Sequence, residues 1–586
     1  MSVHSVSAAK KKLSKCLCWI NFILLVIVFV NTVIVIMTGG YSVSIGFLKL
    51  STHNAGKSLL LLIVLAFMIR AFFPRQPSQN QEKEPAEILG VEDHLSGVKV
   101  IVILLLIVLF VFGIYHKILN GFFVSDDFEV LSIFRQFHDV SFDALFSFMK
   151  GDGLIRPLAV ASTWLDHTLW AFNSRGYHLT NILLHAANSF LVFLILYSLR
   201  RKYVFGAFCA LLFAAYPVHQ EPVAWVANRA DLLCGFFFFL ALFLYVLSRK
   251  KDTLRLASAL FSPIAFALAL GSKEMAITLP LVIILLDWFL PCDGKRLRLR
   301  KTIFYIPYIF VLVGYVIFRI LFLGNLGGYV EVHQTFLRID PRFLYDLRNI
   351  VMRPFAALAV PLNHNLFVNP RLLKATFLLL IVAFAMLLSF RKGKNSPLIA
   401  FGAFLTVTAV LPAFRILYIS KDMQGSRHLY LAALGSSIII SGTIESFNRI
   451  ARRMISVWLA IGSIIFLGFL TGISYIQTTP WVHASDLSRK IVNEGVRSLS
   501  PVKPGSTVYV VDLPDNEQGA YVFRNGFPSA MHLAGISDDI HIIELWKILP
   551  SEIAKRDGNL VMQWKGTAFW LSEWTFDQII SAAKKR

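Results

Sequence analysis

Charge and cysteine are both scarce in this chain. Only 16% of its 586 residues are charged, while 56% are hydrophobic and the mean hydropathy is +0.64. A soluble domain carries about a quarter charged residues, so a soluble enzyme, a disordered chain and a fibrous protein are excluded. The hydrophobic residues come in runs near 20, not in strict alternation, which excludes an outer-membrane barrel. The net charge of +22 does not mark a nucleic-acid binder, because the Lys and Arg gather at the ends of the apolar runs, the pattern of membrane topology. The five cysteines are Cys16, Cys18, Cys209, Cys234 and Cys292. None follows residue 292, so the polar C-terminal region has no disulfide. Cys16 and Cys18 read as packing residues beside a lysine cluster. No N-x-S/T sequon occurs, which fits a bacterial source.

What is present is a series of spans. Thirteen are read, at roughly 17–38, 57–74, 98–118, 178–199, 204–220, 230–248, 255–271, 275–291, 302–323, 375–390, 396–414, 429–446 and 455–476. Six basic clusters, beginning at Lys10, Arg200, Arg249, Lys295, Arg391 and Arg449, then share one side, which the positive-inside rule makes the cytoplasm. Residues 157–172 and 350–367 are apolar, yet either alone would break this parity. They read as amphipathic or re-entrant segments at the outer surface. The start of the chain does not read as a cleaved signal peptide, and no short-period repeats are found. Three parts are expected: an N-terminal extension (1–97), a transmembrane domain (98–476) and an outer C-terminal domain (477–586). The run Thr507–Val511 makes that last part a small mixed α/β or β domain.

Polar residues in or beside spans are costly and read first as functional. On the outer side lie Asp126 and Asp127, then Arg156 before Pro157 and Leu158. His219, Glu221, Arg229 and Asp231 follow, then Lys273 and Glu274, and last Arg427 and His428. Five outer segments thus bring acids and bases to one membrane face. Paired carboxylates there can act as a general base toward a hydroxyl or hold a divalent metal such as Mg²⁺ or Mn²⁺. Lys and Arg around them would neutralise a phosphate. Plainer roles stand beside these. Asp126-Asp127 can cap the helix that follows, and Arg156 can be an interface arginine. His178 and His185 share a helix face and read as packed, and Asp287-Trp288 reads as an interface anchor. Glu331, His333, Asp340 and Asp346 lie in a long outer loop without an assigned role.

From Asp126 to about Leu434 the chain resembles the polytopic GT-C glycosyltransferases, in particular the transmembrane O-mannosyltransferases that carry tetratricopeptide repeats. The stretches are SDDF (125–128), IRPL (155–158), GYHLTNILLHAANSFLVF (176–193), YPVHQEPVAWVANRADLL (216–233), SKEMAITLPLVIILLDW (272–288) and SRHLYLAALG (426–435). The resemblance implies an all-α polytopic membrane protein of the GT-C fold with a small extracytoplasmic domain. It implies a catalytic acid at Asp126 or Asp127 without saying which, and a further acid at Glu221; of the pair, Asp126 is preferred here. It implies donor-phosphate binding or acid–base pairing at Arg156, with Arg229, Lys273 and Arg427 assisting. His219, Asp231, Glu274 and His428 are further site candidates, and Asp126 with Asp127 is the candidate metal pair. Such enzymes take polyprenyl-phosphate sugars and invert the anomeric centre. The repeats are absent here and two spans precede the family's usual first helix, which leaves sugar and acceptor open. The expectation is a bacterial inner-membrane enzyme with a cytoplasmic N-terminus, transferring a sugar to protein Ser/Thr on the periplasmic face. The alternatives are a glycan or lipopolysaccharide acceptor, and a transporter of lipid-linked glycans or solutes.

Overall fold

The computed structural model describes residues 41–45, 48–52, 96–136, 155–250, 254–291, 304–324, 353–367, 396–413, 419–448, 453–547, 553 and 559–584. The chain divides into two compact units, residues 1–92 with 367–396, and residues 93–366 with 397–586. In the first, an antiparallel hairpin pairs β1 (Tyr41–Ile45) with β2 (Leu48–Thr52). The expected spans 17–38, 57–74 and 375–390 lie outside the described residues, as do Cys16, Cys18, Cys292 and the loop acids Glu331, Asp340 and Asp346.

The second unit is helical up to its C-terminal part. Its helices are α1 (Gly97–Tyr115), α2 (Asp127–Gln136), α3 (Pro157–Trp170), α4 (Ser174–Arg200), α5 (Tyr203–Ala214), α6 (Arg229–Ser248), α7 (Arg255–Ser272), α8 (Leu279–Phe289), α9 (Ile306–Leu323), α10 (Ser396–Val410), α11 (Tyr430–Asn448), α12 (Arg453–Gln477) and α13 (Thr479–Leu499). Among the described residues eight helices are long and apolar enough to cross a membrane, and the protein is a multi-pass membrane protein. Seven of the eight overlap expected spans directly, and the eighth, Val457–Leu499, runs on from the expected 455–476.

Two expected spans are built differently. Helix α5 stops at Ala214, and Pro217 starts a second piece, so Tyr203–Ala214 and Pro217–Ala224 meet at 47°. The expected 275–291 is a 3₁₀ turn, Glu274–Thr278, followed by the 11 residues of α8. At 1.5 Å per residue α8 covers about half of a ~30 Å hydrocarbon core. Lys273, extended at φ −160° and ψ 144°, separates it from α7.

Helix α4 sits at the centre. His178, Asn181, His185 and Asn188 are all buried on it, and their 3-4-3 spacing puts them on one face. That polar stripe faces other helices. Asn181 Nδ2 donates to the Trp225 carbonyl at 3.3 Å, Asn188 Nδ2 donates to Tyr430 Oη at 2.8 Å, and His185 Nδ1 bonds Tyr430 Oη at 2.9 Å. The packing expected of His178 and His185 is what is found. Where α10 crosses α11, a Cβ on Gly435 would stand 2.4 Å from the Gly402 carbonyl oxygen, a close approach that only small residues allow.

The C-terminal part is a mixed α/β layer. Its sheet has the order β6 (His541–Glu544), β3 (Thr507–Val511), β7 (Asn559–Trp564), β8 (Phe569–Trp574), with only the β7–β8 pairing antiparallel. A small hairpin, β4 (Asn516–Glu517) with β5 (Ala520–Tyr521), and the helices α14 (Phe527–Leu533) and α15 (Phe576–Lys584) complete it. Tyr509, Val511, Val561 and Ile579 form its core.

Candidate functional site

The segments expected to meet do meet, at one end of the helix bundle. The opposite end has a different character: Arg200 and Lys202 there reach Glu445, and Arg249 pairs with Asp287 at 3.0 Å. Asp287 also accepts from Tyr245 and Tyr305, which fits its reading as an anchor.

At the site end, Asp126 and Asp127 have diverged. Asp127 is buried at 1% exposure. Its Oδ1 accepts from the Ala227 N–H at 2.7 Å and its Oδ2 from the Val124 N–H at 3.0 Å. Burial raises its carboxyl to about 7, against the pull of those two backbone donors. Asp126 is half-buried and points elsewhere. Its Oδ1 accepts from Asn525 Nδ2 at 2.8 Å and from Ser125 Oγ at 3.1 Å. No hydrogen bond is seen to its Oδ2 among the described residues. The two carboxylates are thus held by different partners, and among the described residues no group of three or more His, Cys, Asp or Glu side chains could hold a metal.

The four expected phosphate-binding cations are each paired with a carboxylate. Arg229 is 1% exposed. It meets Asp166 at 2.5 Å and donates to Asn181 Oδ1 at 2.9 Å, to the Tyr177 carbonyl at 3.0 Å and to the Ser162 carbonyl at 3.1 Å. Lys273 Nζ lies 2.6 Å from Asp231, and both are buried. Arg156 grips Glu274 through two nitrogens, at 2.7 and 3.3 Å, with both side chains partly open. Burial alone would raise the Glu274 carboxyl, but Arg156 and Lys273 outweigh it and hold it at about 2. Arg427 Nη1 lies 2.6 Å from Glu221 Oε1, and its backbone N–H donates to Glu221 Oε2 at 3.1 Å. The guanidinium also lies over the Trp225 ring, 5.3 Å from its centroid.

These groups form one neighbourhood. Arg156, Lys273 and Arg427 all act electrostatically on the buried His428 ring. The turn 225–227 joins the two halves: Trp225 carries Arg427, and Ala227 carries Asp127. His219 stands apart from the charges. Its ring packs 4.6 Å from Phe213, 4.7 Å from Tyr430 and 4.9 Å from His185, the place of a core residue.

Two residues at the site were not foreseen. Asp166 lies in the apolar segment 157–172, where a lone acid was itself a signal. Asn525 lies in a turn of the C-terminal domain and gives no signal of its own.

No family model matches the chain. Over 185 residues it is 30% identical to the Caenorhabditis elegans protein O-mannosyl-transferase F38B6.6, covering 30% of this chain and 26% of that one. Over 153 residues it is 35% identical to Tmtc1, the Drosophila melanogaster protein O-mannosyl-transferase, covering 24% and 18%. The matched stretches thus span about a quarter or less of these relatives. Of solved structures, apo ArnT from Cupriavidus metallidurans matches with 12% identity and a TM-score of 0.39, covering 80% of this chain and 93% of that one, a likeness too loose to carry argument. The resemblance read from the motifs is borne out: over the stretches matched, this chain is similar to the protein O-mannosyl-transferases.

Proposed function

We propose that the protein is a GT-C glycosyltransferase that moves one sugar from a polyprenyl-phosphate carrier to a hydroxyl, with protein Ser or Thr as the acceptor. The observation that carries this reading is the divergence of the acid pair. One carboxylate is sealed by backbone donors, and its neighbour keeps an unbonded oxygen at the same end of the bundle as the partly open Arg156 and Arg427.

In the reaction, Asp126 Oδ2 takes the proton of the acceptor hydroxyl. The acceptor oxygen attacks the anomeric carbon as the bond from that carbon to the phosphate oxygen breaks. The electron pair leaves with the phosphate, and a single displacement inverts the centre. Arg156 and Arg427, the two partly open cations, meet the growing negative charge. Arg229 and Lys273 are too deeply enclosed for that task and act as struts. Glu274 and Glu221 hold the two open arginines in place between turnovers. No step is assigned to a metal. The site faces outward, since the basic ends of the spans lie on the opposite side. The missing sequons favour a bacterial inner membrane, with this face periplasmic.

The test is transfer of mannose from polyprenyl-phosphate mannose to a Ser- and Thr-rich peptide. Asp126→Asn keeps the shape and removes proton acceptance, and should lower turnover by about 10²–10⁴-fold with thermal stability unchanged. A well-folded Asp126→Asn protein of parental activity would overturn the assignment.

A further inference from the structure

Residues 522–526 of the C-terminal domain meet the acidic loop at Ser125 and Asp126, beside the contacts of Ser485 and Ser488 with Phe122 and Phe123 and of Lys547 with Glu129. The Val522 carbonyl accepts from the Ser125 N–H at 2.8 Å. Phe523 stacks on Phe128, ring centroids 5.6 Å apart and planes 11° apart. The Asn525 backbone N–H donates to Ser125 Oγ at 3.4 Å, and its carboxamide Nδ2 donates to Asp126 Oδ1 at 2.8 Å.

The backbone on both sides of this contact is specialised. Ser125 has φ +48°, the left-handed region that a residue with a Cβ occupies only at a cost. Gly526 has φ +86°, and a Cβ there would stand 2.4 Å from the Ser125 carbonyl oxygen. A loop that merely rested on the membrane domain would require neither. Strained residues beside an acid mark a position held by its surroundings.

We infer that Asn525 is a positioning residue for Asp126. Its carboxamide holds Oδ1 and so presents Oδ2 to the acceptor hydroxyl. This rests on the reading of Asp126 as the base. A carboxylate rotates about two side-chain bonds, and a donor fixed on one oxygen sets the direction of the other. Small errors in that direction are expensive in a proton transfer coupled to displacement. The donor is a neutral amide, so it orients the carboxylate without neutralising it. The C-terminal domain thereby becomes part of the catalytic machinery.

The test uses the full chain with polyprenyl-phosphate mannose and a Ser- and Thr-rich peptide, in four forms: parent, Asn525→Ala, Asp126→Asn and the double variant. Asn525→Ala should lower kcat about 10-fold or more, the scale of one charge-assisted hydrogen bond, with KM for both substrates little changed. In the Asp126→Asn background the same change should cost nothing further, because the group it orients no longer accepts the proton. Asn525→Asp has the same shape but no donor, so it should lower kcat at least as far, and it serves if Asn525→Ala fails to fold. Parental kcat in a folded Asn525 variant overturns the inference. So do losses that multiply in the double variant, or a change confined to KM. Parental activity of Asp126→Asn alone overturns the base assignment instead, and the inference falls with it.

Discussion

Four acid–base pairs stand at the site end of the bundle, and they fall into two regions. Around α3, α4 and the start of α6, Arg229–Asp166 and Lys273–Asp231 are sealed, with side chains 1–5% exposed. In the other region, Arg156–Glu274 and Arg427–Glu221 keep 17% and 19% of their arginines open. The residue types are the same, but the surroundings are not. A sealed pair has lost its water and cannot change partner, because whichever ion it releases is left uncompensated. Arg156 can turn from its partly exposed carboxylate to a phosphate at small cost, since water covers the exchange, whereas Glu221, 3% exposed, would be left buried if Arg427 turned away. Four cations that look alike in sequence thus divide into two that are enclosed and two that stay partly open.

The largest effect expected from this contrast is on stability. Arg229→Met strands Asp166 and empties three further contacts, to Asn181, Tyr177 and Ser162, so it should destabilise the protein by about 3–5 kcal/mol, seen as a lowered melting temperature in detergent. If its melting temperature is parental, the pair is not a strut and the contrast fails. A smaller effect, on rate, belongs to the open pairs. Arg156→Ala and Arg427→Ala should each lower transfer at limiting polyprenyl-phosphate mannose by about 10–150-fold, the worth of roughly 1.5–3 kcal/mol from a charge-assisted contact. Their melting temperatures should stay near the parent's. Unfolding in either variant would place it with the sealed pairs.

The smallest effect sharpens the division between the two aspartates. Burial raises Asp127 to about 7 from an ordinary value of 3.8. The folded protein then holds this proton more tightly than the unfolded chain does. That contribution is fully present below about pH 4 and is lost as the pH rises through about 7. Asp127→Asn removes the titration. Its stability relative to the parent should therefore rise between about pH 4 and pH 8, measured as the difference in melting temperature. A flat difference would mean that Asp127 does not titrate in that window.

Much of the fold was legible because apolar length is a local property. The runs that became α1, α4, α6, α7, α9 and α11 announce themselves, and so does Thr507–Val511 as a strand. The two spans that are built differently share one cause. Residues 275–291 are apolar enough to span, but hydropathy does not register the extended Lys273 or the 3₁₀ turn that shorten the helix. Pro217 was a visible break, yet nothing local says that the chain turns by 47° there.

The candidate site divides in the same way. Sequence alone determined which residues gather, because an acid or base beside a span is costly anywhere and must be put to use. It therefore singled out Asp126, Asp127, Arg156, Glu221, Arg229, Lys273, Glu274 and Arg427. Only the tertiary structure decided which partner each of them takes and how deeply it is buried. Asp126 and Asp127 are chemically identical neighbours until Ala227 and Val124 take one and Asn525 takes the other. Arg229 and Arg427 are equal until one is enclosed with Asp166 and the other is left partly open beside Glu221. Burial, and the partner that burial brings, are set by segments tens to hundreds of residues away, and no local pattern carries them.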